Sequence, residues 1–296
     1  MKKIFITGSN GFVGKSLIKE LDQKHILYLA GDRKYYGDIE KQTNWKELLD
    51  DCDVVVHLAA RVHVMEEKEI DPLVAFRKIN VEATINLAQA AKQVGVKRFI
   101  YISSIKVNGE ETGEAPFSAD DKPHPQDPYG VSKMEAEIEL MQLHEAGIFE
   151  VVIIRPPLIY GPGVKANFEK LFWLVKKDLP IPFGRVLNKR SLVSVFNLAS
   201  LIIHCMDHPK ASGEVFLVSD DKNYSLRDLI ILMGKTLGKH PHILPVPVGL
   251  MKCGLSFIGK TSYADRLFGN LHVDIEKTKM LLDWKPPFTF EETFKR

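Results

Sequence analysis

Tyr129 and Lys133 are the two residues whose types and spacing point most directly to chemistry. They stand four positions apart where a helical pattern opens, so they share one helix face and the lysine ammonium can sit beside the phenol. A tyrosine with a pKa of about 10 is a poor base at neutral pH, and a neighbouring ammonium lowers that pKa by stabilising the phenolate. The pair is therefore a candidate for acid–base catalysis at a hydroxyl or carbonyl group.

Two serines, Ser103 and Ser104, close an apolar run that precedes this helix. A hydroxyl at the carboxyl end of a parallel strand can project over the sheet edge where α/β enzymes bind their ligands, and there hold a substrate oxygen. Ser104 is the candidate for this role. The serine and the tyrosine–lysine pair are each common by chance. Their order along the chain, after a glycine-rich turn near the N-terminus, is hard to obtain by accident.

A glycine-rich turn near the N-terminus predicts a dinucleotide site. The apolar run 4–6 leads into a G-x-x-G-x-x-G sequence, and a helical pattern follows at once. Glycines in such a turn let the backbone approach a pyrophosphate closely, and the helix N-terminus supplies N–H groups to bind it. The candidate cofactor-binding residues of this turn are Gly8, Asn10, Gly11, Phe12, Val13 and Gly14.

Acidic residues further along indicate which dinucleotide this turn would bind. Asp32 follows Gly14 by 18 residues, where a carboxylate can accept hydrogen bonds from a ribose 2′-hydroxyl. Arg33 could instead attract the 2′-phosphate of NADP, so the sequence favours NAD and leaves NADP open. Asp38, next to Ile39, precedes the third apolar run and can meet an adenine amino group.

Small and apolar residues follow that third run. Leu58, Ala59 and Ala60 would let a cofactor pass close to the backbone. His57, which precedes them, is more typical of a packed core histidine and is assigned no catalytic role.

Short and almost continuously apolar runs alternate with helical patterns through most of the chain, as expected for strands that are covered on both faces. The runs lie at 4–6, 26–29, 53–58, 98–102, 151–154 and 215–218, and the helical patterns at 14–23, 79–94, 133–146 and 195–206. This alternation predicts an α/β fold with a doubly wound parallel sheet.

The alternation of apolar runs and helical patterns is interrupted after Gly161, where prolines and glycines cluster. We therefore expect two parts. A dinucleotide-binding domain would comprise residues 1–160, with 191–219 returning to it. A smaller, mostly helical substrate lobe would comprise 161–190 and 220–296.

Composition excludes several classes of protein. The 296 residues are 45% hydrophobic and 26% charged, with a formal net charge of +2 and no massed basic run, so a nucleic-acid partner is not expected. No stretch reaches the roughly 20 apolar residues of a membrane span, and the apolar run 4–6 is too short for a signal peptide. We therefore expect no membrane partner either. Three widely spaced cysteines without a C-x-x-C pair predict neither a metal site nor a disulfide, and favour a cytoplasmic location.

The sequence resembles the extended short-chain dehydrogenases/reductases of the NAD-dependent epimerase/dehydratase family. The matching segments cover essentially the whole chain and lie at 8–14, 80–81, 101–104, 127–133, 155–156 and 160–163. The resemblance implies a Rossmann domain in which Ser104, Tyr129 and Lys133 form the catalytic triad, with the serine and the tyrosine on the substrate.

The resemblance also extends the set of candidate binding residues. It implies that Lys133 contacts the cofactor and that Asn80 supports the active site through its helix. Arg61 stands where 4-epimerases place a lysine near the cofactor phosphates. The further candidates for the cofactor are Asn80, Arg61 and Pro156, and those for a nucleotide diphosphate are Asn167, Arg190 and Arg266. The planar fork of arginine suits phosphate better than lysine does.

The family members that this chain resembles act on UDP-linked sugars of bacterial surface polysaccharides. The resemblance implies redox chemistry at C4 of a UDP-hexose, either 4-epimerisation or reduction of a UDP-4-keto-6-deoxy-N-acetylhexosamine. The segment Arg155-Pro156-Pro157-Leu158 replaces the Tyr-Phe-Asn-Pro of well-studied 4-epimerases and weakens that choice. Ile105 and Lys106 after Ser104 disfavour a dehydratase, which would carry an acidic pair there.

Two other functions remain open at this point. A ketoreductase on a non-sugar substrate would not need Arg190 and Arg266. A non-catalytic NAD(P) sensor usually loses the tyrosine or the lysine, and both are present. The resemblance further implies a homodimer that pairs through the helices beginning near Ile79 and Tyr129.

Overall fold

The computed structural model describes residues 3–32, 37, 39, 44–62, 71–164, 167–257, 259 and 261–296. The strands in chain order are β1 (Ile4–Thr7), β2 (Tyr28–Gly31), β3 (Val54–His57), β4 (Arg98–Ile102), β5 (Glu150–Arg155), β6 (Leu158–Tyr160), β7 (Arg190–Ser194), β8 (Val215–Leu217) and β9 (Asn223–Tyr224). Six of them form a parallel sheet in the order β2-β1-β3-β4-β5-β8. The doubly wound sheet that the sequence predicts is confirmed.

Helices cover both faces of this sheet and build most of the smaller part. They are α1 (Phe12–Gln23), α2 (Trp45–Leu48), α3 (Pro72–Arg77), α4 (Ala83–Gln93), α5 (Pro128–Leu143), α6 (Asn167–Lys176), α7 (Val195–Cys205), α8 (Leu226–Thr236), α9 (Val248–Phe257), α10 (Thr261–Phe268), α11 (Glu276–Leu282) and α12 (Phe290–Thr293). Every residue of β1, β3 and β4 is buried, because helices pack on both sides of the sheet.

The strand order fixes where a ligand can bind. After β1 the chain crosses to β2 on one side, and after β3 it crosses to β4 on the other, so the connections leave β1 and β3 in opposite directions. Such a switch point opens a crevice at the carboxyl ends of the two strands. Thr7 and His57 are register partners at those ends.

Two element boundaries differ from the sequence expectation. The second strand begins at Tyr28 rather than 26, because the last turn of α1 continues through His25, which has a φ of +53°, and the Ile26 N–H bonds to the Leu21 carbonyl. The helical pattern expected at 79–94 begins earlier in the structure, with α3 at Pro72, and its first residues form a π-helical turn, Lys78–Glu82.

The catalytic helix also starts earlier than the pattern 133–146 suggests. The Asp127 side chain caps α5 by accepting a hydrogen bond from the Gly130 N–H at 2.7 Å, and Pro128 occupies the first helical position. The helix ends at Leu143 because His144 leaves the helical conformation, with ψ of 133°.

A second, small sheet that the sequence did not predict lies beside the large one. It has the order β6-β7-β9, with β6 parallel and β9 antiparallel to β7. Helices α6 and α8 pack together next to it, over an apolar cluster in which Tyr160 stacks with Phe168 and Phe290. β8 completes the large sheet and α7 packs on α1. The division at 160, 191 and 219 stays a prediction.

The part of the chain that the structure describes holds no helix that is both long and apolar enough to cross a membrane.

Candidate active site

A cavity of about 530 Å³ lies between the carboxyl ends of the central strands and the small lobe. It brings together residues that are far apart in the sequence. Candidates that line it are Val13, Leu58, Ala60, Ser104, Tyr129, Lys133, Pro156, Arg190 and Arg266. The three catalytic candidates and two of the three diphosphate candidates, Arg190 and Arg266, therefore share one cavity with part of the cofactor set.

The cap of α5 positions Tyr129 one residue into the helix. Ser104 follows β4 and itself caps a short 3-10 turn by accepting a hydrogen bond from the Lys106 N–H at 3.3 Å. The Tyr129 and Ser104 hydroxyls share a hydrogen bond. Two hydroxyl groups thus converge where a substrate oxygen would bind.

Lys133 is buried one helical turn below Tyr129. Its Nζ donates a hydrogen bond to the Ile102 carbonyl at 2.9 Å and lies 4.4 Å from the ring centroid of Tyr101 and 6.0 Å from that of Tyr129. A ring face attracts an ammonium that has lost its water. One turn further along, Glu137 pairs with Arg155 at 2.6 Å behind the lysine.

Burial favours the neutral form of both side chains of this pair. Burial raises the pKa of Tyr129 to about 12, although the Ser104 hydrogen bond lowers it in part. Burial lowers the pKa of Lys133 to about 7, against the Glu137 carboxylate, which raises it. Between these two values the pair holds one proton, which lies on Tyr129 while the Lys133 amine is neutral. The lowered tyrosine pKa that the sequence predicts is therefore not found in the structure, because burial outweighs the neighbouring lysine.

Asn80 ties the loop after β3 to the catalytic helix. Its side chain accepts from the Arg61 N–H at 2.8 Å and donates to the Arg61 carbonyl at 3.1 Å and to Ser132 Oγ at 3.0 Å. Ser132 Oγ in turn donates to the Tyr129 carbonyl at 2.8 Å. Asn80 stands in the π-helical turn, a feature frequent at functional sites, and its role in supporting the active site stays a prediction.

The glycine turn after β1 has no room for side chains at two positions. Gly8 has a φ of +68°, and a β-carbon there would lie 2.9 Å from the Ala59 nitrogen. A β-carbon on Gly14 would lie 2.4 Å from the Gly8 carbonyl oxygen. The close packing of strand, turn and helix leaves the α1 N-terminus, with Gly11 as its cap, facing the crevice.

Replacing Gly14 with alanine is expected to push α1 away from the turn, because the atoms in the way belong to the backbone. We expect a loss of about 1–3 kcal/mol in the free energy of unfolding and a clear loss of dinucleotide affinity. Thermal unfolding and a fluorescence titration with NAD measure both effects. Gly113→Ala is the matched control, since a β-carbon there meets nothing within 4 Å. Equal behaviour of the two variants would contradict the packing role.

Thr7 and His57 shape the same crevice from below. Thr7 Oγ1 accepts hydrogen bonds from the Leu58 and Ala59 N–H groups, both at 3.2 Å, and lies 2.7 Å from His57 Nδ1. Burial lowers the pKa of His57 to about 3, so it is a neutral packed histidine. The sequence did not single out Thr7, although its place before Gly8 is a usable signal.

The candidates for the adenosine end lie beside the turn. Asp32 follows β2, and the Asn10 side-chain amide donates a hydrogen bond to its carboxylate. Ile39 is partly buried against the core. Arg33 and Asp38 lie outside the described residues.

Arg190 and Arg266 meet at the lobe side of the cavity. Arg190 Nη1 donates to the Arg266 carbonyl at 2.8 Å and to the Gly269 carbonyl at 3.1 Å. Burial lowers the pKa of Arg190, and Glu111 opposes this. Asn167 is the first residue of α6 and its side chain lies outside the described part.

The model of the NAD dependent epimerase/dehydratase family matches residues 4–219. The chain belongs to this family.

Two relatives that carry the names of different enzymes match this chain. A UDP-glucose 4-epimerase of Vibrio cholerae is 47% identical over 308 aligned residues, covering 100% of this chain and 94% of the relative. A GDP-6-deoxy-D-mannose reductase of Pseudomonas aeruginosa is 27% identical and covers 99% and 95% of the two chains. Both relatives match this chain over nearly its whole length.

A solved structure agrees with the fold. MoeE5 in complex with UDP-glucose and NAD superposes with a TM-score of 0.77 at 21% identity, covering 98% of this chain and 95% of that one. The likeness shows that the extended dehydrogenase/reductase fold holds over the full length of the chain.

The family motifs do not include an ion-pair chain that lines the cavity. Lys106 Nζ lies 2.9 Å from Glu110 Oε1 and also pairs with Asp127, the cap of α5. Glu110 Oε2 lies 3.4 Å from Arg266 Nε. Glu110 could not be identified from the sequence, because its partner Arg266 is distant along the chain. Lys106 entered the sequence prediction only as a residue that disfavours a dehydratase.

Proposed function

We propose that this chain is an NAD-dependent enzyme that oxidises and re-reduces C4 of a UDP-linked hexose, and so acts as a UDP-hexose 4-epimerase. The observation that carries the proposal is the convergence of Ser104, Tyr129 and Lys133 in one cavity with Arg190 and Arg266. The identity of 47% to a UDP-glucose 4-epimerase over the whole chain supports it.

The residues around the crevice fit a dinucleotide. The Gly8 and Gly14 positions exclude side chains, and the α1 N-terminus would present N–H groups to a pyrophosphate. Asp32 follows β2, where its carboxylate would accept hydrogen bonds from the ribose. Lys133 would contact the nicotinamide half, and Asn80 would support the site from its helix by holding Arg61 and Ser132. Bound NAD would supply a reversible hydride acceptor beside the substrate carbon.

The protein's own groups would handle the proton. When the single proton of the pair moves from Tyr129 to Lys133, the resulting Tyr129 phenolate takes the proton of the C4 hydroxyl while the Lys133 ammonium stabilises it. The Ser104 hydroxyl donates a hydrogen bond to the C4 oxygen as it becomes a carbonyl. The same tyrosine returns the proton when the 4-keto sugar, turned over in the cavity, is reduced on its other face.

A 4-reductase is the second candidate. The same three residues can protonate a ready-made 4-keto sugar, and a reductase that is 27% identical covers nearly the whole chain. Arg155-Pro156-Pro157-Leu158 in place of the Tyr-Phe-Asn-Pro run favours this outcome. Cofactor retention separates the two, since an epimerase keeps its NAD through each turnover and a reductase exchanges it.

We further propose a cytoplasmic homodimer that makes precursors of bacterial surface polysaccharides. The helix expected to begin near Ile79 starts at Pro72 as α3, continues through the π-helical turn into α4 and packs beside α5. Val74 on α3 and Ile138 on α5 are exposed. A pair of such helices from each of two copies would bury these apolar side chains in a four-helix interface.

Proton NMR of the purified protein with NAD and either UDP-glucose or UDP-N-acetylglucosamine tests the proposal. Appearance of the galacto epimer without net reduction of NAD is the expected result, and the sugar that converts names the substrate. No conversion of either sugar, followed by consumption of NADPH or NADH with a UDP-4-keto sugar, would overturn the epimerase in favour of the reductase.

Asp32→Ala is expected to weaken NAD binding about tenfold or more, because a carboxylate that accepts hydrogen bonds from the ribose hydroxyls is lost. Calorimetric titrations with NAD and with NADP measure the effect. We expect NADP to lose less, since its 2′-phosphate gains from removal of a negative charge. An unchanged affinity for NAD would show that Asp32 does not contact the ribose.

Arg266→Ala is expected to raise the KM for a UDP-sugar by about tenfold or more, with little change in NAD affinity. The substitution removes a cation from the cavity and leaves the Glu110 carboxylate without that partner, which repels a diphosphate. Arg227→Ala, an exposed position outside the cavity, is the control. Steady-state kinetics with equal KM values for both variants would remove the diphosphate role.

A further inference from the structure

The small lobe carries an outer surface that is both apolar and basic. We call it the lobe surface, and its exposed large apolar side chains are Trp173, Leu179, Leu187, Leu244, Leu250 and Phe257. Phe257 is 87% exposed and Leu250 is 66% exposed. Several large apolar side chains exposed within one lobe, unlike single scattered ones, indicate an interaction site.

Helix α9 forms the most apolar part of this surface. None of its residues is buried. Leu250, Cys253 and Phe257 follow one another at spacings of three and four and therefore form one exposed stripe. Met251 and Leu255 lie on the opposite side, partly buried against the core of the lobe. The helix is anchored by one apolar face and offers a second one to the outside.

The same part of the chain is strongly basic. Residues 161–190 and 229–268 together contain twelve lysines and arginines but only three acids, Glu169, Asp178 and Asp265, whereas the whole chain has a net charge of +2. Lys176 and Lys177 are exposed at the end of α6. The positive charge of the protein is therefore concentrated on this lobe.

Hydrogen bonds to backbone carbonyls place these elements next to one another. Lys239 Nζ donates to the Lys176 carbonyl at 2.6 Å, which links the end of α6 to the segment after α8. The Gly184 N–H donates to the Leu244 carbonyl at 2.9 Å, which links the loop before Leu187 to the segment that leads into α9.

The lobe surface adjoins the cavity. Helix α9 packs along α10, where Lys252 Nζ lies 3.2 Å from Asp265 Oδ1, and the next residue, Arg266, lines the cavity. Helix α6 gives Phe168 to the cavity and Trp173 to the outside. Whatever covers the lobe surface therefore lies next to the cavity wall.

We propose that the lobe surface docks on an anionic phospholipid bilayer, with Leu250 and Phe257 entering the headgroup region and Lys176 and Lys177 contacting lipid phosphates. An exposed apolar helix stripe in a basic part of the chain is the pattern of segments that lie in a membrane interface. A second copy of the chain would bring the same positive charge against itself, which disfavours self-association here. The expectation of no membrane partner rested on spanning segments and signal peptides, and this contact is peripheral.

Flotation of the full-length protein with vesicles tests the proposal. We expect binding to vesicles of equal parts phosphatidylglycerol and phosphatidylcholine, little binding to pure phosphatidylcholine, and release by high salt. A lysine near an anionic membrane contributes about fivefold to partitioning, so Lys176→Gln with Lys177→Gln should weaken binding by about 25-fold. Leu250→Ser with Phe257→Ser should weaken it by about tenfold or more.

Met280→Ser is the matched control, because Met280 is 77% exposed but lies on α11, outside the lobe surface. Thermal unfolding of each variant shows that it folds. Binding that does not distinguish the two kinds of vesicle, or that all variants retain, would overturn the proposal. Loss of a dimer in the Leu250 and Phe257 variant without loss of vesicle binding would assign the surface to a second copy instead.

Discussion

Tyr129→Phe is expected to lower turnover by about a thousandfold, which is within the usual range of general acid–base effects. The affinity for NAD should stay within about a factor of two of the wild type, because the phenol hydroxyl is not needed to bind the cofactor. The variant keeps the ring and its packing but removes the hydroxyl that shares a hydrogen bond with Ser104. No other described hydroxyl in the cavity has a lysine one helical turn away to stabilise its anion.

Tyr28→Phe provides the matched control for this result. The Tyr28 hydroxyl donates to Asp22 at 2.9 Å on the protein surface, far from the cavity along the sheet edge, so its removal should leave turnover unchanged. Turnover by the Tyr129 variant within tenfold of the wild type would show that another group moves the proton.

Lys133→Met is expected to lower turnover by about a hundredfold or more, because the phenolate loses the only cation placed to stabilise it among the described residues of the cavity floor. Methionine keeps the length and apolar stem of lysine. The substitution should therefore preserve the fold, and a variant that turns over normally would contradict the assigned role.

The same substitution should change how stability depends on pH. The folded pKa of Lys133, about 7, lies below its ordinary value of 10.5, so between these values the unfolded chain binds the proton and the folded chain does not. The free energy of unfolding of the wild type therefore rises with pH across this window. The methionine variant lacks this contribution, so its stability relative to the wild type should be greatest near pH 7 and shrink toward pH 10 in thermal unfolding of the free protein.

The pair also sets the expected pH profile of catalysis. Oxidation of the C4 hydroxyl needs the form with one proton, so kcat/KM should fall below about pH 7, by about tenfold per pH unit. A 4-reductase needs Tyr129 protonated in its starting state and would not lose activity on that side. A flat profile between pH 5 and 7 in the epimerase assay would contradict the coupled pair.

Much of this site could be predicted because its parts are local in the sequence. The turn from Gly8 to Gly14 and the Tyr129 and Lys133 pair each lie within a few residues, and the alternation of apolar runs with helical patterns fixes which sheet edge they share. The start of α5 at Pro128 could also have been predicted, because an aspartate followed by a proline is typical of a helix N-terminus.

The parts that could not be predicted depend on contacts between distant residues. The sheet β6-β7-β9 has strands of two to five residues, too short for a periodic pattern. The approach of Glu110 to Arg266 joins positions 156 residues apart, and nothing in either local sequence announces it. The exposed stripe on α9 was missed because apolar helical residues are ordinarily core residues.

The central claim is that hydrogen leaves C4 of the sugar and returns to it within one protein molecule. The most direct test uses the UDP-hexose that turns over, labelled with deuterium at C4, with unlabelled NAD in ordinary water. The account predicts that the epimerised sugar keeps its deuterium at C4, as read by NMR and mass spectrometry. Epimerised sugar that carries solvent hydrogen at C4 would contradict it, because the carbon would then have exchanged a proton rather than a hydride.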